Sequence, residues 1–201
     1  MLTLVTPATS EPITVADVKI HLRITSTEDD LMIPGLITAA RMQAEHYTKR
    51  QFMPATWKLI LQDFPGTTGD IILPRPPLSS SATDVSISFY KDTTIVNDST
   101  SVASSIYTID YLKEPGRIYP IYGNEWPSCV TDYKKDAVQI TFKSGATVVD
   151  EPIKLWIKMR VASMYENREP LYEGKFGIQL LSLSHNFYDG LLDPYKVYDY
   201  Q

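Results

Sequence analysis

The sequence predicts an α+β protein: a small helical bundle built from the two ends of the chain, with an antiparallel β meander or small barrel inserted between them. Three observations predict it. Apolar residues recur at helical spacing up to about Arg50 and again from about Asp150. Between these limits the period falls to two, in short runs bounded by Gly, Pro, Asn, Asp and Ser. Each terminal set of helices has one apolar face and needs a partner, which the other end can supply. The divisions expected are 1–54 for the N-terminal helices, 55–149 for the inserted β region, and 150–201 for the C-terminal helices and an aromatic tail.

Thr14 opens the first helix. It is a good N-cap, and Asp17 three residues on completes a capping-box-like pair. Val15, Val18 and Leu22 share one face. The next start signal is Ser26 to Asp30, hydroxyls followed by three acids, which suits the positive end of a helix. Ile33, Ile37, Ala40, Ala44 and Tyr47 then recur at helical spacing, with Arg41, Glu45 and Lys49 at i,i+4 on another face. Pro34-Gly35 conflicts with a helix running from Asp30, because proline costs about 3 kcal/mol beyond the first turn. The expectation is a start near Asp30 or a kink at Pro34.

From Ala55 alternation takes over: Trp57, Leu59, Leu61; Val85, Ile87, Phe89; Tyr107, Ile109, Tyr111; Val138, Ile140, Phe142. The stretch "PRPPL" lacks the N–H groups for a central strand and reads as a rigid extended crossing along an edge. Asp150 with Pro152 restarts a helix, whose face is Ile153, Ile157, Val161 and Met164 and which should stop by Glu169. A last amphipathic stretch runs from Ile178 to Leu192, and the tail after Pro194 reads as extended.

Composition excludes several functions. The chain has 201 residues and a formal net charge of −5, with no Lys/Arg run longer than a pair, so a nucleic-acid grip is not expected. One cysteine, Cys129, rules out a disulfide within the chain. No apolar run is long enough to span a membrane, and the N-terminus does not read as a signal peptide. His21, His46 and His185 form no short metal-ligand spacing, and Glu28-Asp29-Asp30 is explained as an acidic helix start. No nucleophile elbow, P-loop or dinucleotide fingerprint is present, so no catalytic, metal or cofactor site is expected. The densest cluster of chemistry, "EPGRIYPIYGNEWPS" (114–128), reads as structure. Pro115-Gly116 signals a type II turn with Gly at positive φ, Arg117 restarts a strand, and Tyr122 and Trp126 should anchor the following loop. A hydrolase built on Glu114 and Glu125 would need a converging partner that the sequence does not offer.

Those residues also carry a resemblance. With "EPITVADVKIHLRI", "IILPRPPL", "AVQITFKSGA", "PIKLWIKMRVASMYENRE" and "LLDPYKVY", in that order, the chain resembles tailed-phage head–tail connector proteins, often called adaptor or DNA-packaging proteins. The resemblance implies a virion protein without catalysis, made in the host cytoplasm during assembly. It implies a homo-oligomer, a dodecameric ring below the portal protein that receives a tail-completion protein. It also implies that DNA passes through the ring without specific binding, and an acidic balance suits sliding better than gripping.

Two sets of residues are candidates for contacts. Arg41, Glu45 and Lys49, away from the Ala40/Ala44 face, are the expected subunit interface; Tyr195, Tyr198 and Tyr200 are the expected portal-docking residues. The rival reading is a carbohydrate- or peptide-binding β module with helical extensions, using Trp57, Trp126 and the tyrosines as its face.

Overall fold

The computed structural model describes residues 1–91, 99–129, 135–166 and 190–198. The fold is α+β, with antiparallel pairing throughout the named strands. Two compact units divide the chain, one from Met1–Thr9 and Met53–Thr147, the other from Ser10–Phe52 and Val148–Tyr198.

The first unit holds strands β1 (Leu2–Thr6), β2 (Ala55–Leu61), β3 (Ile71–Leu73), β4 (Val85–Tyr90), β5 (Ser99–Ser101), β6 (Tyr107–Asp110), β7 (Gly116–Pro120) and β8 (Val138–Ser144). They form two open sheets, in the orders β1-β2-β8-β4-β5 and β3-β7-β6. The described strands therefore close no barrel, and the larger sheet is not a simple meander. Its centre is the strand latest in sequence, β8, with β2 and β4 on its flanks, so that Leu59 and Ile87 both face Ile140 across the ladders. Alternation explains why these three strands form. Val138, Ile140 and Phe142 are fully buried while Gln139 and Thr141 are only half-buried. Both sheets feed one apolar core, including Ile71, Leu73, Ile118 and the stacked rings of Phe64 and Trp126, 5.0 Å apart and 6° from parallel. Burying a side chain such as Ile140 contributes about 1.5–3 kcal/mol. Leu2–Thr6, expected in the N-terminal helical division, instead pairs with β2. The "PRPPL" stretch is bent rather than extended: Arg75 has φ 66, and only Leu78 bridges to Ser144 at the end of β8.

The second unit contains α1 (Val15–Leu22), α2 (Ile33–Thr48) and α3 (Glu151–Glu166). The capping box at Thr14 is complete: its Oγ1 accepts from Asp17 N at 3.1 Å, and Asp17 Oδ2 accepts from Thr14 N at 2.8 Å. The second helix starts neither near Asp30 nor with a kink at Pro34, the two alternatives expected, but at Ile33. Ser26 Oγ accepts from Glu28 N in a local turn, Asp30 pairs with Lys19 at 2.7 Å, and Asp29 accepts from the Tyr165 hydroxyl. With those side chains occupied, α2 begins at Ile33. Pro34 then lies in the first turn, where a missing N–H costs little, so no kink is needed. Ile33, Ile37, Ala40 and Ala44 of α2 are buried, as are Val18 of α1 and Ile153, Trp156, Ile157 and Val161 of α3, and α2 and α1 both pack on α3. The expected helix at Ile178–Leu192 lies, up to residue 189, outside the described residues.

Candidate functional site

The charged side chains of α2 were expected to face outward, and two of them do not. Arg41 is 5% exposed and Glu45 6%. Arg41 Nη1 donates to Glu45 Oε2 at 2.9 Å, and its Nε donates to Glu11 Oε2 at 2.7 Å. The other oxygen of Glu45 accepts from Gln51 Nε2 at 2.8 Å and from the backbone N–H of Phe52 at 3.0 Å. Thr38 adds a hydrogen bond to Glu11 at 2.8 Å. Burial alone would weaken the hold of Arg41 on its proton. The hydrogen bond to Glu11 and the charge of Glu45 outweigh it, so its pKa lies above the ordinary value.

Every strong donor and acceptor of this cluster has a partner within the chain. Removing one would strand a buried charge, so reversing Glu45 would damage folding before it could report on assembly. Helical spacing could not show this, because the deciding partner, Glu11, sits thirty residues before Arg41. Gln51, just after the helix, is the other member the sequence reading missed. Lys49 is different: it ends α2 with φ 57 and is exposed.

The described part of the C-terminal tail is fastened to the end of α2. Val197 N donates to the Thr48 carbonyl at 2.9 Å, and Arg50 Nε donates to the Tyr195 carbonyl. The Tyr47 hydroxyl donates to Asp193 Oδ1 at 2.8 Å. Lys196 Nζ bonds that hydroxyl at 2.7 Å and lies 3.9 Å from the ring centre. The Lys196 ammonium, then the Tyr47 hydroxyl, hold the Asp193 carboxyl below the usual range. Leu192 and Val197 are buried. Tyr195 is therefore not in a free extended tail but in a short 3-10 turn, Asp193–Tyr195, and half-buried. Tyr198 is 58% exposed. Tyr200 lies outside the described residues.

The stretch 114–128 proves structural in a different way from that expected. The Glu114–Pro115 bond is cis, and Gly116 begins β7 without positive φ. Glycine is required there for space, since a Cβ would overlap Leu78 Cδ1. Positive φ is found instead at Gly123, at 84°. Trp126 anchors the loop, its Nε1 donating to the Gly69 carbonyl at 2.8 Å, while Tyr122 is wholly exposed and anchors nothing. Glu114 precedes the Gly116 end of β7, whereas Trp126, next to Glu125, is held by the Thr67 and Gly69 carbonyls beyond the other end, so the two acids do not converge. Cys129 donates to Asp63 Oδ1 at 2.9 Å, and burial, then that carboxylate, push its pKa up to about 12. A thiol so held is not a nucleophile at neutral pH. His21 and His46 are exposed; His185 is outside the described residues. Among the described residues no group of three metal-ligating side chains comes together, and no helix is long and apolar enough to cross a membrane.

Comparison with known proteins bears on the expected resemblance. The family described as phage gp6-like head-tail connector protein matches residues 12–107. No curated protein matches. Among solved structures, one from the neck of an empty GTA particle computed with C6 symmetry has a TM-score of 0.74 at 16% identity, covering 98% of this chain and 96% of that one. A second, from the virion of a native gene transfer agent particle, has a TM-score of 0.71 at 18% identity over 98% and 96%. A third, from the neck of a native GTA particle computed with C12 symmetry, has a TM-score of 0.69 at 18% identity over the same shares. At those identities the likeness establishes a common fold.

Proposed function

We propose that this chain is a head–tail connector of the phage gp6-like kind, the family whose model matches residues 12–107. It is a structural component of a phage-like virion, and it acts by making interfaces. Copies form a closed ring, dodecameric by the family resemblance, that sits below the portal protein, receives a tail-completion protein and continues the DNA channel. The helical unit is a small bundle that supplies the contacts between copies. Assembly takes place in the host cytoplasm, and the subunit has no catalytic role.

The family match carries this reading. Support comes from the fold likeness to neck chains computed with sixfold and twelvefold symmetry. Further support comes from the chemistry of the chain: Arg41 and Glu45 bond each other, and Cys129 is held as a protonated thiol. Lys49 remains the subunit-contact candidate, and Tyr198 the exposed described member of the portal-docking set. The test is a negative-stain image and a native mass of the purified chain, alone and mixed with its portal protein. Rings with a central channel are expected. A monomer under both conditions would overturn the reading.

A further inference from the structure

The outward face of α2 is unusual for a helix surface. Its 16 residues carry two formally charged side chains, Arg41 and Glu45, and both are buried against each other and Glu11. Opposite its core face lie Gly35, Ala39, Met42 and His46, all exposed and spaced 4, 3 and 4. Lys49 follows three residues later. A helix face that meets only water normally carries the charges, and here they are turned inward.

A second such face belongs to α3. Opposite its buried residues lie Pro152 and Leu155, both exposed, and Met159 and Ala162, both half-buried, spaced 3, 4 and 3, with exposed Glu166 four residues on. Leu155 is 44% exposed and Met42 of α2 is 56% exposed. Spacing that alternates three and four is the seam of one helix lying along another.

We propose that the outer face of α2 in one copy packs along the outer face of α3 in the next. This inference rests on the ring reading above and names its contact. The pairing is between two different surfaces, which is what a ring requires of each subunit. Direction follows from charge. Laid parallel, the two seams bring Lys49 at the end of one beside Glu166 at the end of the other and leave Glu151 to Lys154, 2.8 Å away; laid antiparallel, Lys49 would have to compete with Lys154 for Glu151, and Glu166 would have no cation opposite. In the parallel register Leu155 falls against Ala39 and His46 against Ala162, a large side chain against a small one, with the two flexible side chains of Met42 and Met159 meeting between them.

The experiment uses the full chain, with Ala39→Glu and Leu155→Glu made separately and native mass and melting temperature measured for each. Both sites are exposed in the single subunit, so Tm should hold. Each variant should weaken self-association roughly a hundredfold, the scale of an unpaired charge forced into an apolar contact. An equimolar mixture should give a dimer and stop, because each variant retains one good surface and only one joint can form. An Ala39→Cys, Leu155→Cys double variant should oxidise to a covalent ladder of copies. Wild-type rings together with normal rings from both Glu variants would overturn this inference and leave the ring reading intact. Assembly lost in Ala39→Glu but normal in Leu155→Glu would also overturn it, in favour of like faces meeting. A wild-type chain that never leaves the monomer would take down the ring reading as well.

Discussion

The two units of this chain stabilise themselves by opposite means. Among the described residues the core of the sheet unit is almost entirely apolar: Ile71, Leu73, Ile87, Ile118, Val138, Ile140 and Phe142 are almost wholly buried, and Ser144 is the buried polar side chain beside them. The core of the helical unit takes in Arg41, Glu45, Thr48 and Gln51, each no more than 6% exposed. An apolar core tolerates conservative exchange, because burial has no direction. A buried charge network does not, since each member is satisfied only by the particular others. The network ties α2 to Glu11 and Gln51, and the outward face of α2 is left free of charge, as the proposed contact between copies requires.

The most severe break of this contrast is Arg41→Ala. It leaves Glu11 and Glu45 without their cation, and the expected loss is about 3–5 kcal/mol of stability in urea unfolding followed by the helical circular-dichroism signal. Ile140→Val in the sheet core should cost about 0.5–1.5 kcal/mol. Arg41→Met combined with Glu45→Leu should recover part of the loss, but not all, because Gln51 and the Phe52 N–H lose their acceptor. Equal costs for Arg41→Ala and Ile140→Val would mean that the two cores are not different in kind.

Next in size is Gly116→Ala, which probes the sheet unit where a side chain must shift to make room. The new Cβ collides with Leu78, a side chain itself 8% exposed, and overpacking of this sort costs about 1–3 kcal/mol. Shortening Leu78 in the same molecule should make the Gly116→Ala step cheaper than it is in the wild type. If the step costs the same in both backgrounds, the glycine serves backbone conformation and not space.

How much of this was legible in the sequence also divides between the units. Strands β2, β4, β6 and β8 were readable because alternation there is the direct imprint of a one-sided core. β1, β3 and β5 escaped for separate reasons. Ile71–Leu73 and Ser99–Ser101 are three residues each, too short to show a period, and Leu2–Thr6 is an edge strand in which little beyond Leu2 needs cover. In the helical unit the apolar faces and the Thr14 cap were readable, being local. The start of α2 was not, since Asp29 and Asp30 serve Tyr165 and Lys19, partners that the fold brings in. Nor was the burial of Arg41 and Glu45, where i,i+4 spacing reads the same on an exposed face as inside a network completed by Glu11.

A smaller effect is expected at the cap. Thr14→Ala removes the acceptor for Asp17 N and should lower stability by about 1 kcal/mol, while Thr14→Ser should be close to neutral. The loss should appear in the helical signal and spare the sheet. A drop of equal size seen through the buried Trp126, in a variant with Trp57 and Trp156 replaced by Phe, would show that the two units unfold as one.

The mildest test is acid, read through salt. Two carboxyls are held below their usual pKa by different means. Asp17 is held first by the backbone N–H of Thr14 and then by its hydroxyl. Asp84, in the sheet unit, is held first by Lys143 at 2.7 Å and then by the Ser79 hydroxyl. A folded pKa below the unfolded one means that the contribution is complete above the unfolded value, near 3.8, and is lost as pH falls through the folded value. Both units should therefore weaken below about pH 4. The Lys143 ammonium is 57% exposed, so ions can screen its attraction, whereas the short dipolar bonds at the cap are screened little. High salt at pH 6 should thus remove most of the difference between wild type and Asp84→Asn, and little of that between wild type and Asp17→Asn. Identical salt responses would place both carboxyls under the same kind of control and erase the contrast at the surface of the two units.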